Sequence, residues 1–317
     1  MSDYASIVEA AIRDLALDRR EPKLLYTPAG YALQGGGKRL RPVMLMMAAE
    51  AFGRDARSVA RQAAGVEMFH NFTLVHDDVM DRSDLRRGRE TVQKRWDEST
   101  AILSGDAMLT LATELICPDE DSKLRKILRV FNRMALDVYE GQCCDMEFET
   151  RQDVTLEEYI RMTELKTGAL LGGSVQIGAM LAGASDEDAE AMHDFGLQLG
   201  VAFQIQDDYL DVYGDPATFG KPVGGDILNN KKTYLLLTAL GRDDSSAFCE
   251  ALKLEPNATK VKTVTNLYTR MNIAEDCRKA VAEYSARAMK AIRHTAMSEE
   301  GKESFRKLKD KLLGRNK

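Results

Sequence analysis

The stretch FHNFTLVHDDVMD (69–81) decides how this chain folds. Phe69, Phe72 and Val75–Val79 recur at three- and four-residue intervals, the period of a helix with a buried face. The stretch closes on Asp77-Asp78-Val79-Met80-Asp81, a DDxxD pattern. On a helix of 3.6 residues per turn, its first and fifth positions lie one above the other. Asp77 and Asp81 therefore converge on one face. FQIQDDYLD (203–211) repeats the arrangement and brings Asp207 over Asp211.

Outward from these two stretches, the same period returns at Met44, Met47 and Ala48 and at Leu124, Ile127, Leu128 and Phe131. Runs of alternating β-branched and aromatic residues are almost absent. Pro22, Pro28, Gly35–Gly37, Gly53–Asp55, Pro118–Asp121, Ser185–Asp186, Gly214–Gly225 and Asp243–Asp244 punctuate the chain into roughly ten or more helices. No low-complexity linker divides it, so residues 1–317 read as a single all-α domain. With 44% apolar and 30% charged residues, the chain has ample material for a buried core, which excludes a disordered protein. Lys and Arg total 44 against 50 Asp and Glu; the net charge of −6 excludes a global nucleic-acid field. Gly168–Ser185 carries no charge over 18 residues but holds five Gly, so we expect a buried helix packed closely on its neighbours, not a membrane span. The N-terminal twenty residues lack the apolar centre of a signal peptide, and the five Cys form no CxxC pair. Together these predict a cytoplasmic protein without a disulfide framework or structural zinc. Cys143 and Cys144 read as small buried hydrophobes, and the Lys- and Arg-rich stretch from Asn257 as solvated helices.

Stacked like charges destabilise a helix by a few tenths of a kcal/mol per pair. A sequence that stacks them twice on otherwise apolar helices has a cation to bind. Carboxylate oxygens suit a hard ion, and Mg²⁺ commonly joins one or two carboxylates to a substrate phosphate. Basic residues supply the counterpart. GGGKRLRP (35–42) is a glycine run meeting three cations, Arg86-Arg87-Gly88 follows the first acidic motif, and Lys166-Thr167-Gly168 opens the uncharged helix. Lys221-Pro222 and Lys231-Lys232 follow the second motif. No GxxxxGK[ST] P-loop or HExxH zinc motif occurs. This clustering points to an anionic, phosphate-bearing substrate.

The sequence resembles the trans-isoprenyl diphosphate synthases, or polyprenyl synthetases, in six pieces in the family's order: GGGKRLRP (35–42), HDDVMD with RRG (76–88), GQCCD (141–145), KTG (166–168), FQIQDDYLD (203–211) and GKPVGGD (220–226). The resemblance implies the isoprenoid synthase fold: antiparallel helices around a deep apolar cavity, usually in a homodimer. It further implies that Asp77, Asp81 and Asp207 bridge three Mg²⁺ ions to an allylic diphosphate, with Asp78 and Asp211 in support. Arg86, Lys166 and Lys221 would hold that diphosphate, and Lys231 would lie near the metal cluster. Lys38, Arg41, His70 and Arg87 match the site for isopentenyl diphosphate, while Thr167 and Gln204 would line the region where a carbocation develops.

The implied activity is a Mg²⁺-dependent condensation of isopentenyl diphosphate with dimethylallyl, geranyl or farnesyl diphosphate, with no nucleic-acid partner and no membrane span. Phe72 lies five positions before Asp77, with the small Thr73 at four, as in the archaeal type of geranylgeranyl synthase. Phe69 and Phe72 would stop the growing chain, giving a C15–C20 product with C20 favoured. A class I terpene cyclase usually carries one DDxxD and a different second metal motif. A catalytically silent partner subunit tends to lose acidic motif residues. Here both motifs are complete.

Overall fold

The structure is a computed structural model that describes residues 2–215, 223–242 and 246–314, and these fall into two compact units. The first comprises Met1–Arg133, Gly173–His193 and Thr295–Lys302. It contains α1 (Ser2–Asp14), α2 (Lys23–Leu33), α3 (Leu40–Ala51), α4 (Ala60–Met80), α5 (Val92–Arg95), α6 (Glu98–Ile116) and the start of α7 (Asp121–Thr150). A two-stranded antiparallel hairpin, β1 (Leu85–Arg86) and β2 (Arg89–Glu90), follows α4. Helix α4 is the axis of this unit: α1, α3 and α6 pack around it, and every residue from Gln62 to Phe69 is buried. A helix covered on all sides needs no single apolar stripe. Beyond this buried stretch the C-terminal end of α4 is only partly covered, and that end carries the first acidic motif.

The second unit comprises Met134–Gly172, Asp194–His294 and Glu303–Lys317. It takes the remainder of α7, then α8 (Leu156–Thr163), a π-helical turn at Glu164–Gly168, the start of α9 (Ala169–Ala182) and most of α10 (Asp186–Tyr213). It continues with α11 (Gly225–Leu228), α12 (Tyr234–Leu240), α13 (Ser246–Leu252), α14 (Ala258–Arg270), α15 (Ile273–Ala291) and most of α16 (Glu299–Leu313). A capping box starts α8: the Thr155 hydroxyl accepts from the Glu158 amide while Glu158 accepts from the Thr155 amide. Tyr159, Ile205, Leu235, Phe248, Tyr268 and Cys277 are among the buried core of this unit.

The all-α expectation holds, the hairpin being the only strand pair among the described residues. The uncharged Gly-rich segment forms α9, and its glycine content has a steric cause. A Cβ on Gly178 would lie 2.2 Å from the Leu45 carbonyl oxygen, so α9 approaches α3 at backbone contact. Among the described residues no helix is long and apolar enough to cross a membrane. Three details differ from the sequence reading. Pro28 does not break the chain but sits inside α2. A proline there disturbs the carbonyls of the preceding turn, and the Ser104 hydroxyl donates to one of them, Leu25 O, at 3.0 Å. Cys143 is exposed and Cys144 half-buried, because Cys143 lies two positions, about 200°, around α7 from the buried Gly141. The helices beyond Asn257 are charged outside yet bury Val264, Tyr268, Phe305 and Leu308.

Candidate active site

In the first unit, the acidic motif occupies the last turn of α4, with Asp81 at the C-cap. The unsatisfied carbonyls of a helix C-terminus are already negative, so carboxylates placed there favour a bound cation doubly. The three aspartates divide the labour. Asp77 is half-buried and Asp81 exposed. Asp78 is 5% exposed and is committed to the protein: its Oδ1 accepts from Arg86 Nε and Nη2, both at 2.8 Å. The Asp78 carbonyl accepts from Gln93 Nε2 at 2.6 Å and from the Ser83 amide at 2.9 Å, fixing the chain where it leaves the helix. Asp78 thus ties the arginine on β1 to the end of α4.

The glycine–cation loop also divides its charges. Arg39 adopts a left-handed backbone with φ 47° and is 4% exposed. Its guanidinium donates to Glu9 Oε1, Glu67 Oε1 and Leu33 O, each at 2.6 Å. Arg39 is therefore an internal strut, whereas Lys38 is exposed and Arg41 half-buried. Arg41 Nη1 lies 3.1 Å from His70 Nε2 on α4. Burial first, then Arg41, Arg87, Arg86 and Arg39, hold the His70 pKa well below 6.5. His70 is thus neutral, and since Arg41 can only donate, Nε2 accepts and Nδ1 carries the proton. Burial also pushes the Arg41 pKa down to about 10, which leaves it cationic at neutral pH; its Nε is buried without a hydrogen-bond partner. Arg87 donates to the Gly36 carbonyl, joining the hairpin to the glycine loop. Arg41 and Arg87 thus lie about the neutral His70 as one cationic cluster, and Lys38 is on the glycine loop that Arg87 joins.

The two phenylalanines lie on the same helix. Phe69 is fully buried and Phe72 is 5% exposed. Their ring centroids are 5.6 Å apart; Phe69 packs edge-on to Phe131 at 5.4 Å, and Phe72 edge-on to His76 at 4.8 Å.

In the second unit, the other acidic motif lies in the last two turns of α10. Its middle aspartate again faces inward. Asp208 is 4% exposed. Its Oδ2 accepts from the Tyr159 hydroxyl at 2.6 Å and the Tyr234 amide at 3.0 Å, and its Oδ1 from Gln204 Nε2 at 3.0 Å. Burial raises its pKa while these donors and Lys231 oppose the rise. Asp207 and Asp211 are half-buried; Asp211 Oδ2 accepts from the Asp226 amide at the start of α11, at 3.1 Å. Lys166 and Thr167 sit on the π turn, a rare geometry often found at functional sites. Lys166 Nζ donates to Asp145 Oδ2 at 2.5 Å. The α7 backbone meets the turn at Gly141, where a Cβ would lie 2.4 Å from the Lys166 nitrogen. Thr167 Oγ1 donates to Gln204 Oε1 at 3.2 Å. Lys166, Thr167, Gln204 and the second acidic motif are therefore one connected group. Lys231 is exposed on the segment that leads into α12. Lys221, expected at the same diphosphate, lies outside the described residues.

The sequence reading did not find Asp208, Tyr159, Asp145 or the Glu67–Arg39 strut. Asp145 was visible in GQCCD but had no assigned task. Each acidic motif offers carboxylate oxygens at a negative helix end, a donor set that fits a hard divalent ion. Among the described residues, no three His, Cys, Asp or Glu side chains form a closed metal cage. Mg²⁺ characteristically takes one or two carboxylates and completes its shell with water and phosphate oxygens.

Comparison with known proteins agrees with the geometry. Residues 22–271 match the family described as polyprenyl synthetase. The chain is 43% identical over 241 residues to a geranylgeranyl diphosphate synthase of Methanosarcina mazei, covering 75% of this chain and 74% of the relative. It is 38% identical over 258 residues to a geranylfarnesyl diphosphate synthase of Natronomonas pharaonis, covering 75% of each. A crystal structure of a geranylgeranyl pyrophosphate synthase is similar with a TM-score of 0.93 at 42% identity, over 99% of both chains. The acidic motifs closing α4 and α10, the cationic cluster and the matched helical fold lead to one assignment: this chain belongs to the polyprenyl synthetase family.

Proposed function

We propose that this protein is a Mg²⁺-dependent trans-prenyltransferase that condenses isopentenyl diphosphate with an allylic diphosphate to give a C15–C20 prenyl diphosphate, C20 favoured. The observation that carries the reading is the shared division of labour in the two motifs. Each spends its middle aspartate on the protein and keeps its first and fifth at a negative helix end. In this reading Asp77, Asp81 and Asp207 hold three Mg²⁺ ions, which supply charge neutralisation for the leaving diphosphate.

The chain's own groups supply the rest. Arg86, Lys166 and Lys221 hold the allylic diphosphate, with Lys231 nearby; Asp78 and Asp145 aim the first two of these cations. Lys38, Arg41, His70 and Arg87 hold isopentenyl diphosphate, with the Nδ1–H of neutral His70 as a donor to phosphate oxygen. When the allylic C–O bond ionises, the isopentenyl double bond attacks the allylic carbon. The new C–C bond forms as a proton leaves, and the departing diphosphate accepts it. Thr167 and Gln204 line the region of positive charge, and apolar helix walls keep water from the cation. Phe72 and Phe69 set the chain length.

Homodimerisation and a cytoplasmic location belong to the same proposal. Exposed Ile102 and Leu103 on α6, and Leu136 and Met146 on α7, offer apolar surface for a second copy. The test incubates the pure protein with Mg²⁺, dimethylallyl diphosphate and isopentenyl diphosphate. An elongated product supports the reading. A cyclic product makes the protein a terpene cyclase, and no product makes it a silent subunit.

A further inference from the structure

Asp208 is buried beside the site and touches Gln204, which in turn touches Thr167. The direction of each hydrogen bond in this row follows from chemistry. The Tyr234 amide can only donate, and Asp208 Oδ2 receives it together with the Tyr159 hydroxyl. A carboxylate so loaded accepts at its other oxygen too, so Gln204 must present its amide nitrogen there. That leaves Gln204 Oε1 toward Thr167, and an amide oxygen only accepts. The Thr167 proton is therefore drawn toward Gln204, and the lone pairs of Thr167 Oγ1 stay on the side away from it. The bonds from Thr167 to Gln204 and from Gln204 to Asp208 run the same way, which strengthens each.

We propose that Asp208, steadied by Tyr159, is a positioning residue that fixes the Gln204 amide so that Thr167 turns lone pairs, not its proton, toward the allylic cation. This rests on the prenyl-transfer reading above. An Asp208→Asn variant presents an N–H₂ group where Gln204 now donates. Gln204 then turns over, offers its own N–H₂ to Thr167, and the Thr167 proton swings into the site. A donor facing a developing cation raises the barrier without weakening ground-state binding.

The test measures kcat, both KM values and the Mg²⁺ half-saturation for Asp208→Asn, Tyr159→Phe, Thr167→Val and the double variant Thr167→Val/Asp208→Asn. Asp208→Asn should lower kcat about 10–100-fold with both KM values and the Mg²⁺ requirement within about twofold. Tyr159→Phe should lower kcat by about 3–10-fold in the same manner, and it carries the test if Asp208→Asn fails to fold. In the Thr167→Val background, Asp208→Asn should cost no more than about threefold further, because the hydroxyl it misdirects is already gone. An independent readout is the side-chain amide signal of Gln204 in ¹⁵N-labelled protein without substrates, which should shift in both Asp208→Asn and Tyr159→Phe. Wild-type kcat in Asp208→Asn, losses that multiply in the double variant, a rise in KM or Mg²⁺ demand in place of the kcat loss, or an unmoved Gln204 signal would each overturn the inference. If the wild type makes no elongated product while the Gln204 signal still shifts, the prenyl-transfer reading fails and the positioning contact stands.

Discussion

Phe72→Ala tests the chain-length assignment directly. Phe72 lies five residues before Asp77, about 7.5 Å along α4, and Phe69 about 4.5 Å beyond it. With a diphosphate held at Asp77, a hydrocarbon tail running back along this helix meets the Phe72 ring first and the Phe69 ring next. The ring of Phe72 is 5% exposed and rests between those of Phe69 and His76. Truncation of such a ring costs about 3–5 kcal/mol, and neighbours that relax into part of the space bring the value toward the lower end. At about 2–4 °C per kcal/mol for a chain approaching this size, a 3 kcal/mol loss lowers Tm by about 6–12 °C. The same void admits a further isoprene unit, so the main product should move from C20 to C25. Adding Phe69→Ala should lengthen it again and cost more stability, because Phe69 is fully buried against Phe131. The assay is mass analysis of the dephosphorylated alcohols made from farnesyl and isopentenyl diphosphates, beside a thermal melt. A double variant that stays active, melts lower and yields an unchanged product distribution would refute the assignment and place the floor on another helix.

Asp77→Asn or Asp207→Asn should abolish most turnover at limiting Mg²⁺ while circular dichroism stays helical, since neutralising one stacked carboxylate relieves repulsion in the metal-free protein; wild-type turnover in either would dismiss the metal role. Lys38→Ala and Arg41→Ala should each raise KM for isopentenyl diphosphate by roughly one to two orders of magnitude, with little change for the allylic substrate, as a charge-assisted bond worth about 1.5–3 kcal/mol requires. Equal rises for both substrates would reassign the cluster. His70 has its pKa held far below 6.5 by burial and neighbouring cations, so the folded protein binds fewer protons there than the unfolded chain. Its contribution to stability is complete above about pH 6.5 and is lost as pH falls toward the folded-state pKa. Urea unfolding across that acid range should show a shallower slope for His70→Gln; an identical slope would rule out His70 as its source.

The parts of the site readable in the sequence were those set by local spacing. Asp77 over Asp81 and Asp207 over Asp211 follow from the helical period alone, and the five glycines of Gly168–Ser185 announce close packing before any contact is known. The middle aspartates were not readable in this way, because their tasks depend on distant residues: Asp208 meets Tyr159 across 49 positions. In GGGKRLRP the three cations look alike as letters, yet a left-handed backbone at Arg39 turns that one inward to Glu67. Pro28 carries a strong breaking signal that tertiary packing overrides. The π turn is invisible to a search for a 3.6-residue period, because a single extra residue shifts that period by too little to see in one window.

That extra residue makes the segment around Lys166 vulnerable in a way substitutions do not probe. A π turn holds one residue more than an α-helix of the same span. Deletion of any one residue within Glu164–Gly168 would let the ladder close as ordinary helix from Leu156 to Ala182. The flanking helices would keep their phase, but the residues of the turn itself would be re-spaced, carrying Lys166 away from Asp145 or Thr167 away from Gln204. Over descent, this stretch is therefore expected to keep its length as strictly as it keeps Lys166 and Thr167. A folded, helical and inactive protein is the expected phenotype of the smallest possible deletion.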